Sequence, residues 1–137
     1  MHRITPGIVP CIVVCCLVMT ASAVGQEAVA FTSEQVDRGQ VIYSETCQIC
    51  HGNRLSNGQF GTPLRGSFFR NNWTGKTLGE LTSQVWEKMP PDNVQSLSWE
   101  QVTDVVSFIL SRNNLEPGAS AMPTDTDSHA ATPLPWQ

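Results

Sequence analysis

A chain of 137 residues, 40% of them hydrophobic, is long enough for one folded domain and short for two. Its 8 basic and 12 acidic residues give a formal net charge of −4. Because no run of basic residues occurs, nucleic acid is excluded as an expected partner.

The first 23 residues have the pattern of a secretory signal peptide. Arg3 provides a basic start, residues 8–19 form an apolar run, and residues 21–23 (ASA) are typical of a cleavage site. The run is shorter than the roughly 20 residues that span a bilayer. No cysteine in it follows a small residue, as a lipoprotein start requires. We therefore expect cleavage after Ala23 or Gly25, a periplasmic or otherwise exported protein, and no stable membrane insertion of the mature chain.

Signal cleavage changes the cysteine chemistry, because it leaves only Cys47 and Cys50 of the five cysteines. Export places this pair in an oxidising compartment, where two free thiols form a disulfide or take part in thiol exchange. The role of the pair therefore decides what the mature domain, residues 24–115, does.

The first predicted helix begins at Thr32, where Gln35 three residues on completes a capping box. Apolar and small residues then recur at spacings of three and four, which places them on one helical face. The residues on this face are Val36, Gly39, Tyr43 and Cys47. The helix therefore leads directly into the sequence CQICH at 47–51.

Two more helices are predicted further along the chain. One begins with a capping box at Thr77 and has to end near Met89, because Pro90 disfavours the helical conformation in the residue before it. Met89 is thus expected in extended backbone at a helix end. The other begins at Ser98 and ends at Asn113–Asn114, since Asn tolerates the left-handed conformation. Its apolar stripe consists of Val102, Val105, Val106, Phe108, Ile109 and Leu110.

Two segments show no regular period. Residues 52–76 are rich in Gly and Asn. A loop of that length is unusual in a small domain unless it packs on something other than protein, so it favours a bound cofactor. Residues 116–137 are rich in Pro, Ala and Thr and predict an extended C-terminal tail.

The sequence CQICH has three possible chemistries. Thiol exchange by a CxxC pair is typical of a helix start after a strand, whereas this pair ends a helix. A closed zinc site needs four ligands, and the mature chain adds only His51 and the distant His129 to the two thiols. CxxCH is also the attachment motif of a c-type haem. Thiols at i and i+3 share one side of a helical turn, where they can add to two porphyrin vinyl groups while the next histidine binds the iron. The haem interpretation is favoured.

A second iron ligand supports the haem interpretation. Iron held by His and Met on opposite faces is suited to electron transfer. Met89 and Met122 are the methionines that remain after signal cleavage. Met89 follows the second predicted helix and precedes the third, whereas Met122 lies in the predicted tail, so Met89 is the expected ligand. The competing interpretation is that Met89 is a core residue.

Residues 36–115 resemble a class I cytochrome c. The likeness is greatest to the small bacterial periplasmic monohaem cytochromes c that serve quinoprotein dehydrogenases. Besides Gly39 and Tyr43, the matching sequences are CQICHG (47–52), TPLRG (62–66), FFRNNWTGKTLGEL (68–81), KMPP (88–91) and LSWEQVTDVVSFILSRN (97–113). The resemblance implies an all-α cytochrome c fold, with three main helices and long loops wrapped around one covalently bound haem. In that fold the first and last helices would cross at Gly39, with Tyr43 packed on Phe108.

The resemblance also implies the cofactor and its ligands. One haem c would be attached through Cys47 and Cys50, with His51 and Met89 as metal ligands. The Pro63 carbonyl would accept a hydrogen bond from the second nitrogen of His51, which fixes the ring and makes the ligand more basic.

Three further residues resemble those that bind haem propionates. Trp73 is the first candidate, followed by Arg65 and Arg70. Each also has a purely structural interpretation, since Trp73 can be a core residue and either arginine a solvated surface residue. Residues 52–61 depart from the family's common acidic-Gly pattern, which leaves the path of this loop open.

The function implied is that of an electron carrier and not of an enzyme, because iron with both axial positions filled has no site for a substrate. The expected partners are an electron-donating dehydrogenase, including the quinoprotein class, and a downstream cytochrome or terminal oxidase. Two alternatives stay open. One is a haem subunit of a respiratory complex, and the other is a ligand-binding or sensory haem protein in which Met89 is displaced.

Overall fold

The computed structural model describes residues 28–136, so the predicted signal peptide and its cleavage site lie outside the described residues. The helices in this part of the chain are α1 Ser33–Ile42, α2 Gln48–His51, α3 Gly66–Trp73, α4 Leu78–Lys88, α5 Trp99–Ser111 and α6 Thr126–Ala131. A π-helical turn, Tyr43–Cys47, joins α1 to α2 without a break. Between residues 28 and 136 there is no strand, and the β-structure is one isolated bridge. The predicted all-α class is confirmed.

None of the helices within residues 28–136 has the length and apolar character needed to cross a bilayer.

The starts of the three predicted helices are confirmed. Each begins with a reciprocal capping box, in which the cap side chain and the side chain three residues on accept each other's backbone N–H groups. The pairs are Thr32 with Gln35, Thr77 with Glu80, and Ser98 with Gln101. These bonds satisfy backbone donors that a helix start otherwise leaves without partners.

The ends of α4 and α5 also follow the sequence. Met89 caps α4 in extended backbone, at φ −126° and ψ 141°. Asn114 is left-handed at φ 70° beyond α5. The neighbouring Asn113 is buried, and its amide donates to the carbonyls of Leu64 and Ile109, both at 2.9 Å. Asn113 thus ties the end of α5 to the chain that leads into α3.

The crossing of α1 and α5 organises the domain. Gly39 faces the α5 backbone, where a Cβ would overlap the Asp104 carbonyl oxygen. Beside it, the rings of Tyr43 and Phe108 pack with centroids 5.2 Å apart and planes at 45°. Both features of the predicted crossing are confirmed.

Helix α5 forms the centre of the core. Every residue from 102 to 110 is buried, polar ones included, which is typical of a helix covered on all sides. The carboxylate of Asp104 is paired with Arg38 of α1 through two hydrogen bonds of 2.6 and 2.7 Å. A buried carboxylate is tolerated because this bidentate partner offsets its loss of hydration.

Helix α3 lies inside residues 52–76, where sequence periodicity predicted none. It is short, and its cap residue Arg65 makes no side-chain capping bond. Its inward side chain is Phe69, which is buried, with Trp73 one turn later partly buried against the core. Gly and Asn residues around these two aromatics lower the helix propensity, so tertiary packing decides the conformation.

The C-terminal segment, residues 116–136, is here called the strap. The prediction of an extended tail is wrong for these residues, because the strap folds back over the domain and forms α6. Its backbone is bonded to the residue that precedes the cap of α1, where Gly118 N–H donates to the Phe31 carbonyl at 2.8 Å. The side chains of Met122, His129 and Leu134 are buried. These three buried residues are too widely and unevenly spaced in the sequence to show the period of a helix or a strand.

Candidate functional site

The two thiols of CQICH lie at the junction of the π-helical turn and α2. Cys47 ends the turn and Cys50 lies one helical turn on, and both are half-buried and not bonded to each other. Burial, helped by the neighbouring Cys50, raises the pKa of the Cys47 thiol to about 11. Cysteines that exchange disulfides have a lowered pKa. The environment of Cys47 therefore opposes the thiol-exchange alternative.

The imidazole of His51 is held by a backbone carbonyl. Its side chain is buried, and Nδ1 lies 2.7 Å from the Thr62 carbonyl oxygen. A carbonyl only accepts, so Nδ1 carries the proton and donates, which leaves the lone pair of Nε2 free to bind a metal.

The acceptor differs from the predicted Pro63 carbonyl by one residue. Gly61 N–H donates to the Cys50 carbonyl at 2.9 Å. This bond brings the chain against α2 at residue 61, and the carbonyl of the following residue, Thr62, lies against the His51 ring. The predicted kind of contact is present, but the Pro63 assignment is wrong because the close approach begins one residue earlier than expected.

Residues 52–61 wrap tightly around CQICH. A Cβ at Gly58 would overlap the Cys50 carbonyl oxygen, and one at Gly61 would lie 2.5 Å from His51 Nδ1. Only glycine permits this approach at the two positions. The sequence left the path of the loop open, and these glycines are the signal that could have indicated it.

Tyr43 contributes a bond that sequence reasoning missed. Its hydroxyl donates to the Gly52 carbonyl at 2.7 Å, directly after the end of α2. Burial, followed by the effect of Cys47, raises the pKa of Tyr43 to about 12. The bond ties the crossing of α1 and α5 to the residue that follows His51.

The two candidate methionines have different surroundings. Met89 is half-buried at the end of α4, with its N–H bonded to the Val85 carbonyl at 3.0 Å. Met122 is 2% exposed, belongs to the hydrophobic core, and has both backbone groups bonded to the Gln35 amide. Met122 is thus a core residue whose position is fixed by Gln35. Iron ligation by Met89 stays a prediction.

The candidate propionate residues lie in and around α3. Trp73 is partly buried, packs on Phe69 with ring centroids 6.1 Å apart, and has the Lys76 ammonium 4.8 Å from its ring centroid. Arg65 is exposed and Arg70 half-exposed. These contacts give Trp73 a packing role, and propionate binding by all three residues stays a prediction.

His129 does not provide a zinc ligand. It is fully buried in α6, where its Nε2–H donates to the Pro123 carbonyl at 2.6 Å. Nδ1 faces the Thr82 hydroxyl at 3.3 Å. Both ring nitrogens are engaged within the protein, so the zinc alternative lacks its fourth ligand.

The residues of the motif fit a covalently bound haem c. Two thiols on one helical turn are the donors needed for two thioether bonds. Beside them stands an imidazole whose tautomer leaves Nε2 available. The tightly wrapped loop 52–61 holds the backbone of all three residues in place.

Comparison with known protein families agrees with this donor set. The sequence model of the family described as cytochrome C oxidase, cbb3-type, subunit III matches residues 34–109, which is more than half of the chain. The matched range includes CQICH and Met89. No curated protein and no solved structure matches the chain.

Proposed function

Because the chain belongs to the cytochrome c oxidase, cbb3-type, subunit III family of c-type cytochromes, we propose that it is a one-electron carrier with His51 and Met89 as iron ligands. As a c-type cytochrome it carries one covalently bound haem c, with Cys47 and Cys50 as the attachment residues. The haem supplies a reversible one-electron change at iron. The protein's own residues attach the cofactor and provide the ligands of its iron.

The observation that carries the proposal is the contrast between the two methionines. The Met122 backbone is bonded through both of its polar groups to Gln35, and its side chain is in the core. Met89 stands half-buried at a helix end in extended backbone. A neutral thioether opposite an imidazole favours the reduced state, and filling both axial positions favours electron transfer over substrate chemistry.

His51 also affects the relative stability of the oxidised and reduced states of the iron. The hydrogen bond from Nδ1 to the Thr62 carbonyl orients the ring and makes Nε2 a stronger donor. A stronger imidazole donor favours the oxidised state, so the Thr62 bond and the methionine act in opposite directions on the reduction potential.

The proposed donor is an exported dehydrogenase, including the quinoprotein class, and the proposed acceptor a downstream cytochrome or terminal oxidase. The predicted signal peptide supports a periplasmic or otherwise exported location. Encounters of this kind use small interfaces, typically below roughly 1,200 Å² in total.

Replacement of each methionine tests the ligand assignment. Met89→Ala should keep the haem covalently attached, lower the reduction potential, and open the ferric protein to added imidazole and the ferrous protein to carbon monoxide. Optical titration and potentiometry measure these changes. Met122→Ala is the control, which should lower the free energy of unfolding and open the iron to added ligands far less than Met89→Ala does. The assignment fails if Met122→Ala opens the iron and Met89→Ala does not.

A second candidate function follows from the description of the matched family, which names a subunit of a terminal oxidase. In this alternative the chain is the haem subunit of a respiratory complex. Purification of the tagged, full-length protein from its own cells separates the two candidates. Stoichiometric recovery of oxidase subunits after a salt wash supports the subunit, whereas recovery of the haem protein alone supports the mobile carrier.

A further inference from the structure

Helix α4, which ends at Met89, is supported from two sides. It packs mainly against α5 and against α6 of the strap. At its start the strap runs antiparallel to it, where Leu78 N–H donates to the Thr132 carbonyl at 2.8 Å and Leu134 N–H donates to the Lys76 carbonyl at 2.9 Å. The strap therefore provides one of the two supports of the helix that presents Met89.

His129 joins the strap to the middle of α4. Its Nε2–H bond to the Pro123 carbonyl fixes the ring within the strap, and its Nδ1 lies 3.3 Å from the Thr82 hydroxyl. Thr82 is almost completely buried, and the single proton of its hydroxyl is shared between His129 Nδ1 and the carbonyls of Leu78 and Gly79, at 3.0 and 3.2 Å. A buried imidazole with both nitrogens engaged holds one geometry, because leaving either partner without a bond is costly.

A series of contacts connects His129 to residues 89–97, here called the methionine loop. The His129 ring packs on Trp99 of α5 with centroids 6.4 Å apart, and Trp99 stacks on Trp86 of α4 at 5.3 Å and 21°. The Trp86 carbonyl accepts from Gln95 N–H at 3.1 Å, and this bond closes the methionine loop. The three rings, here called the aromatic cluster, thus connect the strap to the loop that begins with Met89.

We propose that the strap positions the axial methionine, with His129 as the positioning residue that locks α4 through Thr82 and the aromatic cluster. This inference rests on the proposed role of Met89. Weakening the contacts of His129 with Thr82 and the aromatic cluster raises the fraction of molecules in which Met89 is not bound to the iron. An external ligand binds that fraction, so its apparent affinity rises in proportion.

The test uses the full-length, haem-loaded ferric protein and measures its affinity for added imidazole, its reduction potential and its free energy of unfolding. His129→Leu removes both hydrogen bonds of the ring and should raise the imidazole affinity about tenfold and lower the potential. Thr82→Val keeps the side-chain shape and removes the hydroxyl, so it should act in the same direction by about threefold. It also keeps the proposal testable if His129→Leu fails to fold.

Arg38→Met is the matched control, because it breaks the ion pair between α1 and α5 and leaves α4, the strap and the aromatic cluster untouched. It should lower the free energy of unfolding without changing imidazole affinity. If Arg38→Met raises that affinity as much as His129→Leu does, the strap only stabilises the fold and the inference is overturned.

Met89→Ala separates the two levels of the proposal. In a Met89→Ala background, His129→Leu should have no further effect on imidazole affinity, since no methionine is left to position. If Met89→Ala alone leaves the affinity unchanged, the ligand assignment fails. If Met89→Ala raises the affinity while His129→Leu and Thr82→Val do not, only the role of the strap fails.

Discussion

Gly39 faces Asp104 so closely that a Cβ at position 39 would overlap the Asp104 carbonyl oxygen and lie 2.9 Å from the Phe108 Cβ. The close approach lets Tyr43, one helical turn further along, reach Phe108 and donate to the Gly52 carbonyl. The position of Gly52, directly after His51, thus depends on how closely α1 and α5 cross at Gly39, because Tyr43 contacts both places.

Gly39→Ala should therefore destabilise the protein by about 3 kcal/mol, at the upper end of typical overpacking costs, because backbone must move to make room. Urea unfolding followed by circular dichroism measures the change. Gly118→Ala is the control, since a Cβ there meets nothing within 4 Å. Equal stabilities for the two variants would contradict the crossing geometry.

Gln35→Ala should release the strap from α1. The Gln35 side chain is buried and bonded to both backbone groups of Met122, so its loss leaves a buried N–H and a buried carbonyl without partners. We expect a cost of about 2 kcal/mol and faster proteolysis after residue 116. Gln101→Ala is the control, because Gln101 holds the same capping position in α5 but is exposed. It should cost less than half as much and leave proteolysis unchanged.

Tyr43 should ionise late in the folded protein. Burial, as the larger cause, raises its pKa to about 12, compared with about 10 for an unfolded chain. Because the folded state favours the protonated phenol, this contribution to stability is fully present below about pH 10 and is lost as the pH rises through 12.

The chain has one tyrosine, so a single ¹³C ring signal in NMR spectra reports this titration without assignment. In denaturant, the Tyr43 phenol of the same sample should titrate near pH 10. A midpoint near 10 in the folded protein would mean that the Tyr43 hydroxyl is solvated and not bonded to the Gly52 carbonyl.

Replacing both Cys47 and Cys50 by Ala should abolish covalent haem retention and lower the yield of folded protein. Haem staining after denaturing electrophoresis and the mass of the purified chain measure the outcome. Cys15→Ala is the control, since it falls in the predicted signal peptide and should change neither the staining nor the mass of the exported product. Staining of the double variant at the control level would contradict attachment through these thiols.

Local sequence signals predicted the helix ends well, because each rests on interactions within four residues. The capping boxes at Thr32, Thr77 and Ser98, the stop before Pro90 and the left-handed Asn114 all depend on neighbours along the chain. The attachment motif is local in the same way.

Features that depend on contacts between residues far apart in the sequence could not be predicted from local sequence signals. Helix α3 forms although its Gly and Asn residues oppose it, because Phe69 and Trp73 pack against the core. The acceptor for His51 was misplaced by one residue, since a bond between Gly61 and Cys50 sets where the chain meets the ring.

The sequence by itself determined the starts of α1, α4 and α5, the two thiols with their histidine, and Met89 at a helix end, because each of these features depends on residues close together in the chain. Only the tertiary structure decided that residues 116–136 are a strap and not an extended tail. Its anchors, Met122 on Gln35 and His129 on Thr82, pair residues 87 and 47 positions apart, where no sequence period records the contact.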